Sequence, residues 1–172
     1  MLLHVGGDVP PLDLRLALAA VAGLVATLGM TAVMRLQSHG YVPAYVAAAA
    51  VWRRPPERVS RSAADAVHLA AGMAAGVLFE ALDAGYERLR SAAGVDVEVV
   101  VAGVATLSEV AALAVVVAFL YAFFSSLVFP RFGGAAYETR AGTVRRQWAV
   151  SAVAYGVVLF AALQVVYAVV PA

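Results

Sequence analysis

The chain has 172 residues, of which 63% are apolar and 13% are charged, and its formal net charge at pH 7 is +1. Soluble domains are roughly 45–50% apolar and about 25% charged, so this composition excludes an ordinary soluble domain and a disordered chain. It indicates an integral membrane protein, and the charge gives no reason to expect a nucleic-acid partner.

Several residue types are absent, and each absence excludes a kind of chemistry. Without cysteine there are no disulfides, iron–sulfur clusters or thiolate zinc sites. Without lysine there is no phosphate loop of the Walker type and no Schiff base. We therefore predict no cofactor and no metal. Asparagine and isoleucine are also missing, which is typical of a GC-rich prokaryotic genome.

Four segments are long and apolar enough to cross a bilayer, which requires about 20 helical residues. We predict spans at about residues 14–34, 63–82, 107–129 and 148–170, within one polytopic domain over residues 1–172. Pro130 and Pro171 follow the last two spans, where we expect those helices to end. The predicted fold is an all-α integral membrane bundle of four transmembrane helices.

Arginine placement predicts the orientation of the bundle. Nine arginines fall in the loops between spans one and two and between spans three and four. They are Arg35, Arg53, Arg54, Arg58, Arg61, Arg131, Arg140, Arg145 and Arg146. Three arginines fall on the other side: Arg15, Arg88 and Arg90. We therefore expect the arginine-rich loops in the cytoplasm, both termini outside, and residence in the cytoplasmic membrane.

Two further apolar segments are too short to be simple spans. Residues 41–52 carry Tyr41, Tyr45 and Trp52 before an arginine pair, which predicts a helix lying in the cytoplasmic headgroup region, with a re-entrant segment as the alternative. Residues 95–105 are rich in valine. Spans two and three either extend outward as a helical hairpin turning near Gly94, or residues 95–105 are not helical.

Each of the four spans places a polar residue near the same outer depth, namely Arg15, Glu80, Glu109 and Gln164. If they face inward, Arg15 can pair with Glu80 or Glu109, and the acids can attract a cation. The alternative is that helix ends carry polar residues in the headgroup layer. His68 lies deeper, where it serves either as an interhelical hydrogen-bonding residue or as part of a proton relay.

Local motifs indicate helix starts and lipid-facing positions. Ser62–Asp65 and Thr106–Glu109 have the form of capping boxes that open spans two and three. Five aromatic residues have the placement of interfacial or lipid-facing side chains. They are Tyr121, Phe123, Phe124, Trp148 and Tyr167.

Small residues indicate close helix packing. Gly72 and Gly76 form a G-x-x-x-G element in span two, which lets two helix backbones approach closely. Gly23 in span one and Gly156 in span four, each with nearby alanines, are the matching positions. They predict a compact bundle.

Two stretches, Gly23–Thr31 and His68–Gly76, resemble small four-helix prokaryotic inner-membrane proteins of unknown function, among them the YagU-like proteins. The resemblance covers about the first half of the chain. It implies a prokaryotic four-span protein without assigned catalysis, and it carries over no functional residue.

We expect a non-enzymatic membrane protein, either a self-associating scaffold or an accessory subunit whose partners are the bilayer and other membrane subunits. The alternative is a small ion or solute permeation protein with a polar path near Glu80, Glu109, Gln164 and His68. Catalysis is rejected, because neither Ser38-His39-Gly40 nor Ser125-Ser126 shows an arranged nucleophile and base.

Overall fold

A computed structural model describes residues 10–95, 99–101 and 105–169. In these ranges the chain forms seven α-helices and two short strands. The elements are α1 Leu12–Arg35, α2 Val42–Trp52, α3 Arg61–Ala92, β1 Val100–Val101, β2 Ala105–Thr106, α4 Leu107–Phe123, α5 Phe129–Phe132, α6 Gly134–Glu138 and α7 Ala141–Val169. A 3₁₀ turn at Pro56–Arg58 precedes α3, and a π-helical segment at Phe124–Val128 joins α4 to α5.

Four helices are long and apolar enough to cross a membrane: α1, α3, α7 and the continuous run Leu107–Phe132. Helix α1 packs along both α3 and α7, and α4 closes the bundle against the same two helices. Consecutive long helices are antiparallel. The bundle therefore has an end at which α1 begins, the Arg15 end, and an opposite end where α2 lies, the α2 end. The prediction of an all-α chain with four helices long and apolar enough to span a membrane is confirmed.

The helices exceed the predicted spans, and Pro130 does not end the third. Helix α3 continues to Ala92, and α7 begins at Ala141 rather than near 148. The prediction of a stop at Pro130 is wrong, because the helix runs on to Phe132. A proline ring disrupts the helical turn that precedes it. The wider π-helical turn directly before α5 accommodates that disruption.

The segment after α3 is not the second arm of a helical hairpin. Helix α3 does extend beyond the apolar span, and Gly94 follows it with a φ of +68°. Val100 and Val101 then pair in antiparallel fashion with Thr106 and Ala105. Valine's β-branched side chain favours this extended backbone. Residues 96–98 and 102–104 lie outside the described ranges.

Helix α2 is enclosed by the rest of the protein. It contacts α3, α5, the π-helical segment and α7, and none of residues 41–50 is exposed. Ala44, Val46 and Ala48 are buried, whereas Val51 and Trp52 at its end are exposed. The predicted helix is therefore present, and it fills the space between the longer helices at the α2 end.

The tightest contact in the bundle is the crossing of α1 and α3. A methyl group at Gly76 would lie 2.2 Å from the carbonyl oxygen of Ala19, and one at Gly23 would lie 2.5 Å from that of Gly72. Glycine lets the backbones meet here because it has no Cβ. Gly156 packs against α4, where an added methyl would lie 2.6 Å from Val117 Cγ2.

Candidate functional site

Polar side chains from α1, α3 and α7 meet at the Arg15 end and form what we call the Arg15 cluster. Its members are Arg15, Glu80, Asp83, Glu87 and Tyr167. The three acids follow one another on α3 at spacings of three and four residues, so they lie on one helix face. Antiparallel packing brings this face against the first turn of α1.

The guanidinium of Arg15 donates hydrogen bonds to three carboxylates. Its Nε donates to Glu80 Oε1, its Nη1 lies 3.0 Å from Glu87 Oε2, and its Nη2 lies 3.5 Å from Asp83 Oδ2. Tyr167 connects α7 to the cluster, since its hydroxyl donates to Glu80 Oε2 over 3.0 Å. The cluster therefore joins three of the long helices through charge-assisted hydrogen bonds.

The cluster is buried and carries more acid than base. Arg15 is 5% exposed, and Glu80 and Asp83 are each 1% exposed. One guanidinium faces three carboxylates within 3.5 Å, and the Oδ1 atom of Asp83 is buried without a hydrogen-bond partner among the described residues. Burying unbalanced charge is costly. The arrangement therefore suits a site that takes up a proton.

Glu109 lies at the same end of the bundle and makes the contacts of the capping box that the sequence predicted. Its Oε2 accepts from the backbone N–H of Thr106 at 2.6 Å, and its own N–H donates to Thr106 Oγ1 at 3.2 Å. This is the predicted capping box of α4, with the carboxylate fully buried. Arg15 pairs with Glu80 and not with Glu109 among the ion pairs of the described ranges.

Gln164 lies on α7 one turn before Tyr167 and is half-buried. Its Nε2 atom is enclosed and has no hydrogen-bond partner within the described part of the chain. The structure thus places Gln164 near the depth of the Arg15 cluster without joining it to Arg15 or Glu80.

His68 belongs to a second polar group at the α2 end. Its Nε2 lies 3.0 Å from Thr31 Oγ1, while the Thr31 hydroxyl donates to the carbonyl of Thr27 over 2.7 Å. A hydroxyl has one proton to donate, so we assign the proton of this contact to His68 Nε2. His68 therefore makes an interhelical hydrogen bond that links α3 to α1, as in the first of its two predicted roles.

Asp65 does not cap α3, and this prediction was wrong. The cap is Ser60, whose hydroxyl accepts from the N–H of Ala63 at 3.2 Å. Helix α3 begins two residues earlier than the motif implied, so Asp65 lies inside it and accepts from the hydroxyl of Tyr41. Burial, with the hydrogen bond and charge of Asp65, raises the pKa of Tyr41 to about 12.

Of the five aromatic residues predicted to be interfacial or lipid-facing, Trp148 is interior and Tyr167 is half-buried. Trp148 is 4% exposed and donates from Nε1 to the carbonyl of Leu120 at 3.0 Å. Tyr167 donates to Glu80. Tyr121 and Phe123 are exposed, as expected of lipid-facing rings. Whether Trp148 and Tyr167 face the protein interior or the lipid depends on the rotation of α7 about its own axis, which composition alone does not reveal.

An apolar layer separates the two polar groups. Tyr155 donates to the carbonyl of Gly72 at 2.7 Å, and Tyr167 bonds Glu80 two turns further along α3. Between these tyrosines, Leu159 and Leu163 lie on the same face of α7 and are fully buried. The hydrogen bonds of His68 with Thr31 and of Tyr167 with Glu80 lie on opposite sides of this layer.

A cavity of about 30 Å³ lies beside His68 on the α2 side of this layer. It is lined by apolar residues and by Thr27, His68 and Tyr155. This volume admits one or two water molecules. In the described ranges, no group of three or more histidine, aspartate or glutamate side chains is arranged to hold a metal ion.

Comparison with protein-family models, with curated proteins and with solved structures gave no match to this chain. The fold is an all-α bundle in which four helices are long and apolar enough to cross a membrane. The resemblance to small four-helix inner-membrane proteins stays a prediction.

Proposed function

We propose that the protein is a non-enzymatic integral membrane scaffold or accessory subunit. The observation that carries this proposal is the Arg15 cluster, in which polar side chains join three helices of the same chain. Arg15 contacts α3 through Glu80, and Glu80 contacts α7 through Tyr167. Buried polar side chains used in this way stabilise one helix arrangement, and a fixed arrangement is what a membrane scaffold needs.

The apolar layer also favours the scaffold proposal over the permeation alternative. The permeation alternative requires polar groups from His68 to Glu80, whereas Leu159 and Leu163 fill that interval. The cavity beside His68 holds only one or two water molecules.

The proposed setting is the cytoplasmic membrane of a GC-rich prokaryote, with both termini outside. It rests on nine arginines at the α2 end against three at the Arg15 end. Helix α2 then lies at the cytoplasmic side. Its enclosure by α3, α5 and α7 favours the re-entrant alternative over a helix lying flat among headgroups, because residues 41–50 present no exposed face.

Exposed apolar faces give the scaffold surfaces for other membrane helices or for a second copy. On α7 the exposed valines recur at Val150, Val153 and Val157. Lipid tails are as apolar as these side chains, so assembly there depends on shape and close packing.

Charge imbalance favours a second candidate, proton or cation binding that feeds a permeation path. Three carboxylates share Arg15, and Asp83 Oδ1 is buried without a partner among the described residues. In this reading the acids at the Arg15 end form the entrance, and the bundle opens at the layer of Leu159 and Leu163.

Flux into liposomes separates the two proposals. Purified protein is reconstituted, and proton, sodium and potassium uptake is compared with protein-free liposomes. Glu80→Ala and Glu109→Ala serve as site variants, and Glu57→Ala at the α2 end is the control. The scaffold proposal expects uptake equal to protein-free liposomes for every form.

Uptake that requires Glu80 but not Glu57 would overturn the scaffold proposal and support permeation. In parallel, the protein is extracted in mild detergent and its particle mass is measured. A scaffold or subunit is expected in a complex larger than one chain, and a monomer at membrane concentrations would contradict that role.

A further inference from the structure

A second cavity, of about 550 Å³, lies at the α2 end, outside both polar groups. Three arginines line it: Arg53 and Arg54 after α2, and Arg131 at the end of the third spanning helix. Arg131 is separated from Arg53 and Arg54 by more than 70 residues of sequence, so the fold and not a local charge run brings them together.

Helix α5, which carries Arg131, packs against α2, which Arg53 and Arg54 follow, and this contact shapes the cavity. Gly134, the first residue of α6, has a φ of +54°. A methyl group at Gly134 would lie 3.7 Å from Glu57 Oε1 and 3.9 Å from Pro56 Cδ. The packing of α5 on α2 therefore holds Arg131 beside the segment that carries Arg53 and Arg54.

The charge of this cavity is positive and not neutralised within the described chain. None of Arg53, Arg54 and Arg131 makes an ion pair with a described residue. Glu57 also lines the cavity, so the formal charge of the lining is +2. Guanidinium groups donate in a planar fork that matches the oxygens of a phosphate.

The backbone of Arg53 is an independent observation. Arg53 ends α2 in the left-handed region, with φ 50° and ψ 45°, and it is the sole non-glycine residue with positive φ in the described ranges. Glycine normally occupies this position after a helix because a Cβ is strained there. An arginine at a strained position points to a use for its side chain.

We propose that this cavity binds the phosphate group of an acidic phospholipid. The ligand is a lipid because the cavity lies at the ends of spanning helices, where headgroups reside, and because Trp52 and Phe132 beside it are exposed. Acidic lipids attract arginines at the membrane surface. The arginines hold the phosphodiester, and the two aromatic rings face the upper acyl chain.

The test measures retained lipid by native mass spectrometry. Purified protein in detergent is mixed with equal amounts of phosphatidylglycerol and phosphatidylcholine, and the bound fraction of each is recorded. The site variants are Arg53→Gly, Arg54→Gln and Arg131→Gln, alone and together. Arg140→Gln with Arg146→Gln is the control, since these arginines lie at the same end but do not line the cavity.

We expect phosphatidylglycerol retention to fall about fivefold for each site arginine removed, and to stay near the wild-type value in the control. Glu57→Gln is expected to raise retention, because it removes the one negative charge of the lining. Arg53→Gly keeps the backbone geometry and relieves its strain, so weaker binding by that variant is not a folding defect.

Three results would overturn the proposal. One is wild-type retention by the triple variant, and another is an equal loss in the control, which would indicate general charge attraction. The third is full displacement of the lipid by inorganic phosphate at millimolar concentration, which would assign the cavity to free phosphate.

Discussion

Arg15 near the start of α1 and Glu80 on α3 are hydrogen-bonded partners separated by 65 residues, and both are at least 95% buried. Because Glu80 also accepts from Tyr167, this pair connects three helices through one carboxylate. Removing a partner from a buried ion pair costs more than the pair contributes, since the remaining charge loses its compensation.

Arg15→Gln is therefore expected to lower the free energy of unfolding by about 3–5 kcal/mol. Thermal and denaturant unfolding in detergent measure the change, with Arg88→Gln as the control on the exposed face of α3. Glu80→Gln introduced into Arg15→Gln should recover part of the loss, because it removes the uncompensated charge. A change below about 0.5 kcal/mol for Arg15→Gln would contradict the structural role of the cluster.

Gly76→Ala tests the contact between α1 and α3. Its methyl would lie 2.2 Å from the carbonyl of Ala19, so the helices must separate, at a cost of about 1–3 kcal/mol. Gly85→Ala is the matched control on the same helix, because an added methyl there meets no atom within 4 Å. The control should be neutral or stabilised, since alanine favours helix by up to about 1 kcal/mol. Equal unfolding temperatures for the two variants would refute the close crossing.

The sequence predicted the features that depend on one helix at a time. Apolar runs located the four helices, and the Thr106–Glu109 motif located the start of α4. Comparison of depths also placed Arg15 near Glu80. The choice of Glu80 over Glu109 was open, because it depends on helix rotation about the bundle axis.

Features that depend on several elements together were missed. Trp148 is buried and Tyr167 bonds Glu80 because of how α7 is rotated against α3 and α4. A proline inside a helix usually ends or kinks it. Here the π-helical segment before Pro130 lets the third spanning helix continue. The Ser62–Asp65 motif has the residue spacing of a capping box, but α3 begins two residues earlier. Ser60 is therefore the N-cap residue, and its hydroxyl accepts from the N–H of Ala63.

Tyr41 and Asp65 predict a pH dependence at the α2 end. The pKa of Tyr41 is raised from 10.0 to about 12 in the folded chain, so the unfolded chain ionises first as the pH rises. Stability from the neutral phenol is thus present below about pH 10 and is lost between pH 10 and 12. Tyr41→Phe should be less stable by about 1 kcal/mol at pH 8, and this difference should narrow toward pH 12.

Unfolding measured at pH 8, 10 and 11.5 for wild type and Tyr41→Phe checks this prediction. Asp65→Asn should make the loss of stability smaller and complete it at lower pH, because removing the negative charge that disfavours the phenolate lowers the pKa of Tyr41 in the folded chain. A difference between wild type and Tyr41→Phe that stays constant over this range would show that ionisation of Tyr41 is not coupled to folding.

Glu109 distinguishes a capping role from a role in permeation. Glutamine at this position keeps an oxygen that accepts from the N–H of Thr106, whereas alanine does not. Glu109→Gln should therefore retain most of the stability, and Glu109→Ala should lose about 1 kcal/mol. Thr106→Ala removes the other half of the box and should match the alanine variant. If Glu109→Gln were as damaging as Glu109→Ala, the negative charge and not the cap would be the stabilising feature, and the acid would belong functionally with the Arg15 cluster.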